Sequence, residues 1–202
     1  ALLAGTPGKA AARCLTRTLQ SPDPALRVTA LNALAIRRDA AAVAPATADR
    51  DPAVAAAAFA ASGRIGDTDA LKALAKPAAA AYAPARLRAR AACIGTLSDQ
   101  GQARATVRAA KPIFTETSHP AAVRAAAARA LLLADSRFFE FGIKDASPLV
   151  RQTVIRAADG VPVDVLAGAL KTVAPSEQVM LAAKLASRGD ASAADAVAAL
   201  LT

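Results

Sequence analysis

The chain has 202 residues, a net charge of +9 and 61 alanines, while only 3% of its residues are aromatic and none is tryptophan. A sequence this apolar is not typical of an intrinsically disordered chain. Its high alanine content favours α-helix over β-sheet. The longest stretch without a charged residue, 52–63, has 12 residues, short of the roughly 20 that a membrane span needs, so we expect a soluble all-α protein with no membrane segment.

One block recurs along the chain. A turn-forming stretch with a proline is followed by an apolar anchor, often an arginine directly after it, and then by alanine. The anchors follow one another at intervals of 27 to 36 residues, and they are Leu26, Val54, Leu87, Val123, Val150 and Val179. A period of this length is the signature of a repeat architecture in which each unit is one supersecondary element.

Each block predicts a pair of helices. The proline suits the first helical turn, where its missing N–H leaves no bond unmade. The candidate N-caps before it are Asp23, Asp51, Ser118 and Ser147. Breaks at 37–39, 63–67, 97–101, 159–160 and 188–190 separate the first helix of a pair from the second. We therefore expect a single domain over 1–202, with an opening helix at 7–20 and units at 21–48, 49–81, 82–115, 116–144, 145–173 and 174–202.

This pattern resembles the HEAT-like repeats, in particular the short bacterial repeats of the phycobilisome-lyase type. The best-matching segment is 51–74, from Asp51-Pro52 through Gly63 and Gly66 to Leu74. The resemblance covers nearly the whole chain. It implies a right-handed α-solenoid (an α-α superhelix) of about six helix pairs plus an opening helix, with the first helices on the convex side and the second helices lining the concave side.

The resemblance also implies that an acidic residue in a turn pairs with an arginine directly after the anchor of the first helix. The matching arginines are Arg27, Arg88, Arg124 and Arg151. Ala55 and Met180 occupy that position in the second and last units. We expect a structural role for these arginines and a ladder that is interrupted at those two units.

The residues contain no recognisable catalytic or metal-binding arrangement. His119 is the only histidine and lies beside Pro120 without a second histidine, a CxxC motif or an acidic cluster, so we expect it to be a solvated turn residue. Phosphate-binding glycine loops and the GxSxG elbow are missing as well. Cys14 and Cys93 are too far apart in the repeat to pair and are expected to be free thiols. We expect no enzyme activity, no cofactor and no metal.

Basic side chains on the opening helix and on two second helices are the first candidate binding surface. They recur at i, i+4 and i+7 or i+8, each set opposite an apolar stripe, as in an amphipathic helix. The residues of this candidate basic ridge are Lys9, Arg13, Arg17, Lys72, Lys76, Arg104, Arg108 and Lys111. The stripes are Ala11, Leu15 and Leu19, then Leu71 and Leu74, then Ala103, Val107 and Ala110. Ordinary solvated helix faces show the same pattern.

Three phenylalanines in one short helix are the second candidate. On a regular helix Phe138 and Phe141 lie about 60° apart, and Phe139 is rotated away from them. Either the neighbouring units cover all three rings, or an exposed ring, for which we take Phe139, anchors a partner on the concave side.

These features favour a non-catalytic protein–protein interaction module or scaffold that is a piece of a larger bacterial protein. Its expected partner is another protein, of acidic character, or an adjacent domain. The last helix, 193–201, has one charge and predicts an incompletely capped end that packs end to end.

Binding of nucleic acid or another polyanion through a basic concave surface is the alternative. Residues 83–115 contain six basic residues and one acidic residue, but few aromatic side chains are available to stack bases. A lyase-type enzyme or enzyme accessory is a third hypothesis, which depends on the resemblance alone. The sequence does not fix the compartment.

Overall fold

The computed structural model describes residues 8–189 together with Ala194 and Ala198. In that part of the chain there are twelve α-helices, four short 3-10 helices and no strand, which confirms the predicted all-α class. None of the helices described is long and apolar enough to cross a membrane. The chain divides into two compact units, an N-terminal unit (Ala1–Gln100) and a C-terminal unit (Gly101–Thr202).

The N-terminal unit contains an opening helix and three helices that pack side by side. Its helices are α1 (Lys9–Thr18), α2 (Pro24–Ile36), α3 (Ala40–Val43), α4 (Pro52–Ile65), α5 (Thr68–Ala75) and α6 (Ala83–Asp99), with 3-10 turns at Ala44–Ala48 and Ala80–Tyr82. Helix α4 packs between α2 and α6, while α1 packs on α2 and α5 packs on α6. The core between them is formed by fully buried aliphatic side chains and by Phe59.

The C-terminal unit repeats this arrangement. Its helices are α7 (Ala103–Thr115), α8 (Ala121–Ala134), α9 (Phe139–Gly142), α10 (Pro148–Arg156), α11 (Val163–Leu170) and α12 (Pro175–Ala186), with 3-10 turns at Ser136–Phe138 and Ala158–Gly160. Helix α10 packs between α8 and α12, α7 packs on α8, and α11 packs on α12. Phe139 and Leu181 are buried in its core.

The six predicted first helices correspond to α2, α4, α6, α8, α10 and α12. Two predicted breaks begin too early, because α4 ends only at Ile65 and α6 ends only at Asp99. The boundary between the two compact units follows Gln100 and falls inside the predicted unit 82–115, between α6 and α7. The predicted last helix, 193–201, and its capping lie outside the described residues, apart from Ala194 and Ala198.

Two of the four predicted N-caps form. The Asp23 carboxylate accepts a hydrogen bond from the backbone N–H of Ala25. The Asp51 carboxylate accepts hydrogen bonds from the backbone N–H groups of Ala53 and Val54. Ser147 occupies the N-cap position of α10 without a side-chain bond. Ser118 is not a cap, because α8 begins only after Pro120 and the serine hydroxyl donates to the Glu116 carboxylate instead, at 2.8 Å.

Buried arginines tie the start of a first helix to the start of the next one. Arg27 is the fourth residue of α2 and is 5% exposed. Its Nη1 donates to the carbonyl of Ser21, in the turn before its own helix, at 2.8 Å. Its Nη2 donates to Asp49, in the turn before α4, at 3.0 Å. We call this arrangement an arginine clamp.

The C-terminal unit has two further clamps, again at the fourth residue of a helix. In α8, Arg124 donates to the Phe114 carbonyl at 3.1 Å and pairs with the buried carboxylate of Asp145. In α10, Arg151 donates to the Asp145 carbonyl at 2.7 Å and reaches Glu177, in the first turn of α12, at 2.8 Å. The predicted role of Arg27, Arg124 and Arg151 is therefore confirmed.

Arg88 does not belong to this set, which corrects the prediction. Helix α6 begins at Ala83, one residue before its proline, so the fourth residue is Arg86 and Arg88 is exposed. Arg86 donates to the carbonyl of Lys76 in the preceding turn at 2.6 Å. In α12 the fourth residue is Gln178, which makes the equivalent bond to a backbone carbonyl at 2.9 Å.

Replacing Gly66 with alanine should destabilise the N-terminal unit. Gly66 ends α4 with φ 59°, and a Cβ there would lie 2.2 Å from the Cβ of Thr96 on α6. For an alanine, the left-handed conformation should lower the free energy of unfolding by about 1–2 kcal/mol, and the overlap with Thr96 by about 1–3 kcal/mol more. Gly101→Ala is the matched control, since its φ is 72° and no atom lies within 4 Å. Urea unfolding with equal losses of free energy in both variants would contradict the packing.

Candidate functional site

All eight side chains of the predicted basic ridge are exposed. On α1, Lys9, Arg13 and Arg17 are exposed while Ala11 and Leu15 of the predicted stripe are buried, and Leu19, just after the helix, is half-buried. The basic face of α1 belongs to the N-terminal unit.

The second basic set lies at the C-terminal end of α5. Helix α5 ends at Ala75, and Lys76 is extended, with ψ 146°, because the residue before a proline is driven out of the helical region and Pro77 follows. Lys72 pairs with Asp69 at 2.8 Å, with both side chains about three-quarters exposed. Lys72 therefore lies within α5 and Lys76 at its C-cap, and both side chains are exposed.

Helix α7 has the third basic set and orients it outward. Arg104, Arg108 and Lys111 are exposed. The buried side of α7, which packs on α8, consists of Thr106, Ala110 and Ile113. The predicted stripe of Ala103, Val107 and Ala110 is therefore wrong in two members. Ala103 is exposed, because it is the first residue of the helix, and Val107 is half-buried at the edge of the interface with α8.

The exposed phenylalanine of this segment is not the candidate anchor, Phe139. Phe139 is 1% exposed and belongs to the core, whereas the ring of Phe141 is 69% exposed and Phe138 is half-buried. The segment does not form one regular helix, because Ser136–Phe138 is a 3-10 turn and α9 is a single turn. The angular spacing of an α-helix does not apply across that junction.

An aromatic cavity of about 410 Å³ opens in the C-terminal unit between α7, α8 and α9. Most of its wall is apolar and consists of Val107, Leu131 and the rings of Phe114, Phe138 and Phe141. The polar lining residues are Lys111, Thr115, Asp135 and Arg137. The sequence analysis singled out the 138–141 cluster but missed Phe114. The sequence signal for Phe114 was its position directly after the apolar Ile113. Ile113 is buried in the face that α7 packs on α8, so Phe114 lies at the border of that face.

The rings hold one another in fixed orientations. Phe138 meets Phe114 edge to face, with centroids 4.9 Å apart, and lies 6.3 Å from Phe141 in a nearly stacked arrangement. The guanidinium of Arg124 lies 5.6 Å from the centroid of Phe114 and also binds the Phe114 carbonyl. The arginine clamp of α8 therefore positions one wall of the cavity.

Gly142 allows α9 to approach α10 closely. A Cβ at this position would lie 2.7 Å from Cγ2 of Val154 and 3.2 Å from Cε1 of Phe138. A side chain larger than hydrogen would therefore displace α9 and the Phe138 ring with it.

The charges at the rim of the cavity differ from one side to the other. On the α7 side, Lys111 lines the cavity and forms no ion pair with any described residue. On the opposite side, Arg137 donates twice to the carboxylate of Asp135, at 2.8 and 3.0 Å. These hydrogen bonds lower the pKa of Asp135, so this pair contributes no net charge at neutral pH.

The remaining candidate residues are the two cysteines and the histidine. Cys14 is exposed and Cys93 is buried, and both are free thiols as predicted. His119 is half-buried, and its backbone N–H donates to the Glu116 carbonyl at 3.1 Å. Among the described residues, no group of three or more His, Cys, Asp and Glu side chains is placed to hold a metal ion.

Sequence comparison finds neither a protein-family model nor a curated protein that matches the chain. Functional inference therefore depends on the exposed basic face of α7 and on the aromatic cavity beside it.

The two thiols should differ strongly in reactivity. Burial raises the pKa of Cys93 to about 12, and the thiolate is the reactive form. An aromatic disulfide reagent at pH 8 should titrate one thiol in the native protein and two after unfolding. Cys14→Ser should leave no reactive thiol in the native protein. Similar rates for both native cysteines would contradict the burial of Cys93.

Proposed function

We propose that the chain is a non-catalytic protein-interaction module built of HEAT-like helix pairs. The alternation of longer first helices with shorter second helices supports this proposal, as do the arginine clamps that join successive first helices. In the proposed architecture about six pairs form a right-handed solenoid. The second helices then line the concave side, the surface that such proteins use for extended contacts.

The observation that carries the proposal is the aromatic cavity. The Phe141 ring, 69% exposed, stands beside a preformed apolar cavity of about 410 Å³. Exposed aromatic side chains next to a cavity are typical of binding hot spots, where a few residues contribute most of the affinity. Phe138 packs against both neighbouring rings, and Gly142 lets α9 approach α10 closely.

Polyanion binding is the second candidate function, because Arg104, Arg108 and Lys111 are all exposed on α7. The carboxylate of Asp135 at the cavity edge and the edge-to-face packing of Phe114 against Phe138 count against stacked bases there. A polyanion would bind α7 without using the cavity, so the two functions differ in their dependence on Phe141.

A displayed library of random 16-residue peptides tests the proposed function. Selected peptides should bind the wild-type protein and lose about 30-fold in affinity with Phe141→Ala, since truncating a hot-spot aromatic costs at least about 2 kcal/mol. Val179→Ala is the matched control, because Val179 is 70% exposed in the same unit, on α12, and does not line the cavity.

Fluorescence anisotropy gives the affinities, and circular dichroism verifies that each variant keeps its helix content and melting temperature. Failure to select any binding peptide, or equal affinity for the wild type and Phe141→Ala, would contradict an interaction site at the cavity.

A further inference from the structure

We infer that the aromatic cavity and the basic face of α7 form one docking site for an acidic peptide segment with a bulky apolar anchor residue. This inference rests on the proposed function and adds the chemistry of the partner. The anchor enters the cavity, and carboxylates beside it in the sequence contact Lys111, Arg108 and Arg104.

The size and lining of the cavity define the anchor. At about 410 Å³ it is at the small end of ligand sites, which span roughly 300–1,000 Å³. The apolar walls are formed by the three rings, Val107 and Leu131, and the hydroxyl of the lining residue Thr115 already donates to the Lys111 carbonyl at 3.1 Å. Burying an unpaired polar group against such walls is costly, whereas an aliphatic or aromatic side chain gains both burial and ring contacts. The anchor is therefore Leu, Phe or a residue of similar size and polarity.

The charges next to the cavity define the sequence around the anchor. Lys111 is at the cavity, and Arg108 and Arg104 follow on the same exposed face of α7. At a rise of 1.5 Å per residue, the basic face extends about 10 Å from Lys111. An extended peptide covers that length with about three residues. Acidic residues are therefore expected within three positions of the anchor.

The opposite rim sets the direction in which the acidic residues lie. Arg137 is neutralised by Asp135 through two hydrogen bonds, and the carboxylate of Asp135 lines the cavity. A peptide carboxylate on that side would meet an ion pair without net charge, whereas on the α7 side it meets Lys111, which forms no ion pair with any described residue. The acidic residues thus lie over α7, and the remainder of the peptide crosses the rim at Arg137–Asp135.

Synthetic peptide pools test this inference. In the first pool a central Leu or Phe is flanked on both sides by Glu and Ser. A second pool has Lys in place of Glu, a third has Gln, and a fourth keeps Glu but has a central Ala. Twelve-residue oligothymidine serves as a polyanion probe. Affinities are measured by fluorescence anisotropy at 50 and 300 mM NaCl.

The acidic pool with an apolar anchor should bind at least about 10-fold more tightly than the Lys pool at 50 mM NaCl, and less so at 300 mM, because salt screens exposed charges. Lys111→Glu should weaken this binding about 10-fold and improve binding of the Lys pool, while Phe141→Ala should weaken it about 30-fold. Lys171→Glu makes the same charge change at an exposed residue away from the cavity, and it should leave the affinities unchanged.

The results distinguish a failure of the acidic-partner inference from a failure of the proposed function. Equal binding of the Glu and Gln pools, with loss only in Phe141→Ala, would overturn the acidic partner and leave the proposed function standing. Equal binding of the Ala-anchored pool or oligothymidine, unaffected by Phe141→Ala, would make α7 a polyanion site and overturn both. A wild-type dimer in sedimentation that becomes monomeric in Phe141→Ala would identify a second copy as the occupant and overturn the peptide site.

Discussion

A guanidinium buried between helices loses its water shell, and in this chain carbonyl and carboxylate oxygens replace much of that shell. Arg27 and the half-buried Arg151 bind the turn before their own helix, and Arg124 binds the Phe114 carbonyl in the last turn of α7. Each also pairs with an acid at the start of the next first helix. Removing one partner of such a buried pair costs about 3–5 kcal/mol, because the remaining charge is then uncompensated. Each clamp therefore restricts where two consecutive turns can lie. At the Arg27 clamp, a hydrogen bond from the Asp51 N–H and the neighbouring Arg27 both lower the pKa of Asp49. The stability that the Asp49 carboxylate contributes is therefore lost as the pH falls through this lowered pKa.

The same interaction connects the fold to the candidate site. Arg124 binds the Phe114 carbonyl, lies against its ring and pairs with Asp145, the residue whose carbonyl Arg151 also binds. The aromatic cavity is thus attached to two clamps of the C-terminal unit. Its wall is formed by side chains that have fixed partners in the core, while Phe141 remains exposed. Such a combination of a rigid wall and one exposed ring reduces the ordering cost that a ligand must offset.

The sequence predicts the first helices well because their signals are local: a proline in the first turn, an acidic cap and an apolar anchor. The predictions fail where the backbone departs from a regular helix. Lys76 leaves α5 because Pro77 follows it, a signal that was present in the sequence. Arg86 rather than Arg88 is the fourth residue because α6 begins at Ala83, two residues before the start that would place Arg88 there. The burial of Phe139 depends on a 3-10 junction before α9. Neither shift has a marker in composition or periodicity. The cavity itself joins residues of α7, α8, the 3-10 turn at Ser136–Phe138 and α9, which no single-segment pattern reports.

A double-mutant cycle on Arg124 and Asp145 tests the central claim most directly. The variants Arg124→Met, Asp145→Asn and their combination are compared by urea unfolding, with Lys72→Met and Asp69→Asn as an exposed control pair. A buried clamp predicts a coupling free energy of at least about 2 kcal/mol, against at most about 0.5 kcal/mol for the exposed pair. Coupling at Arg124 and Asp145 no larger than that of the exposed pair would contradict the account.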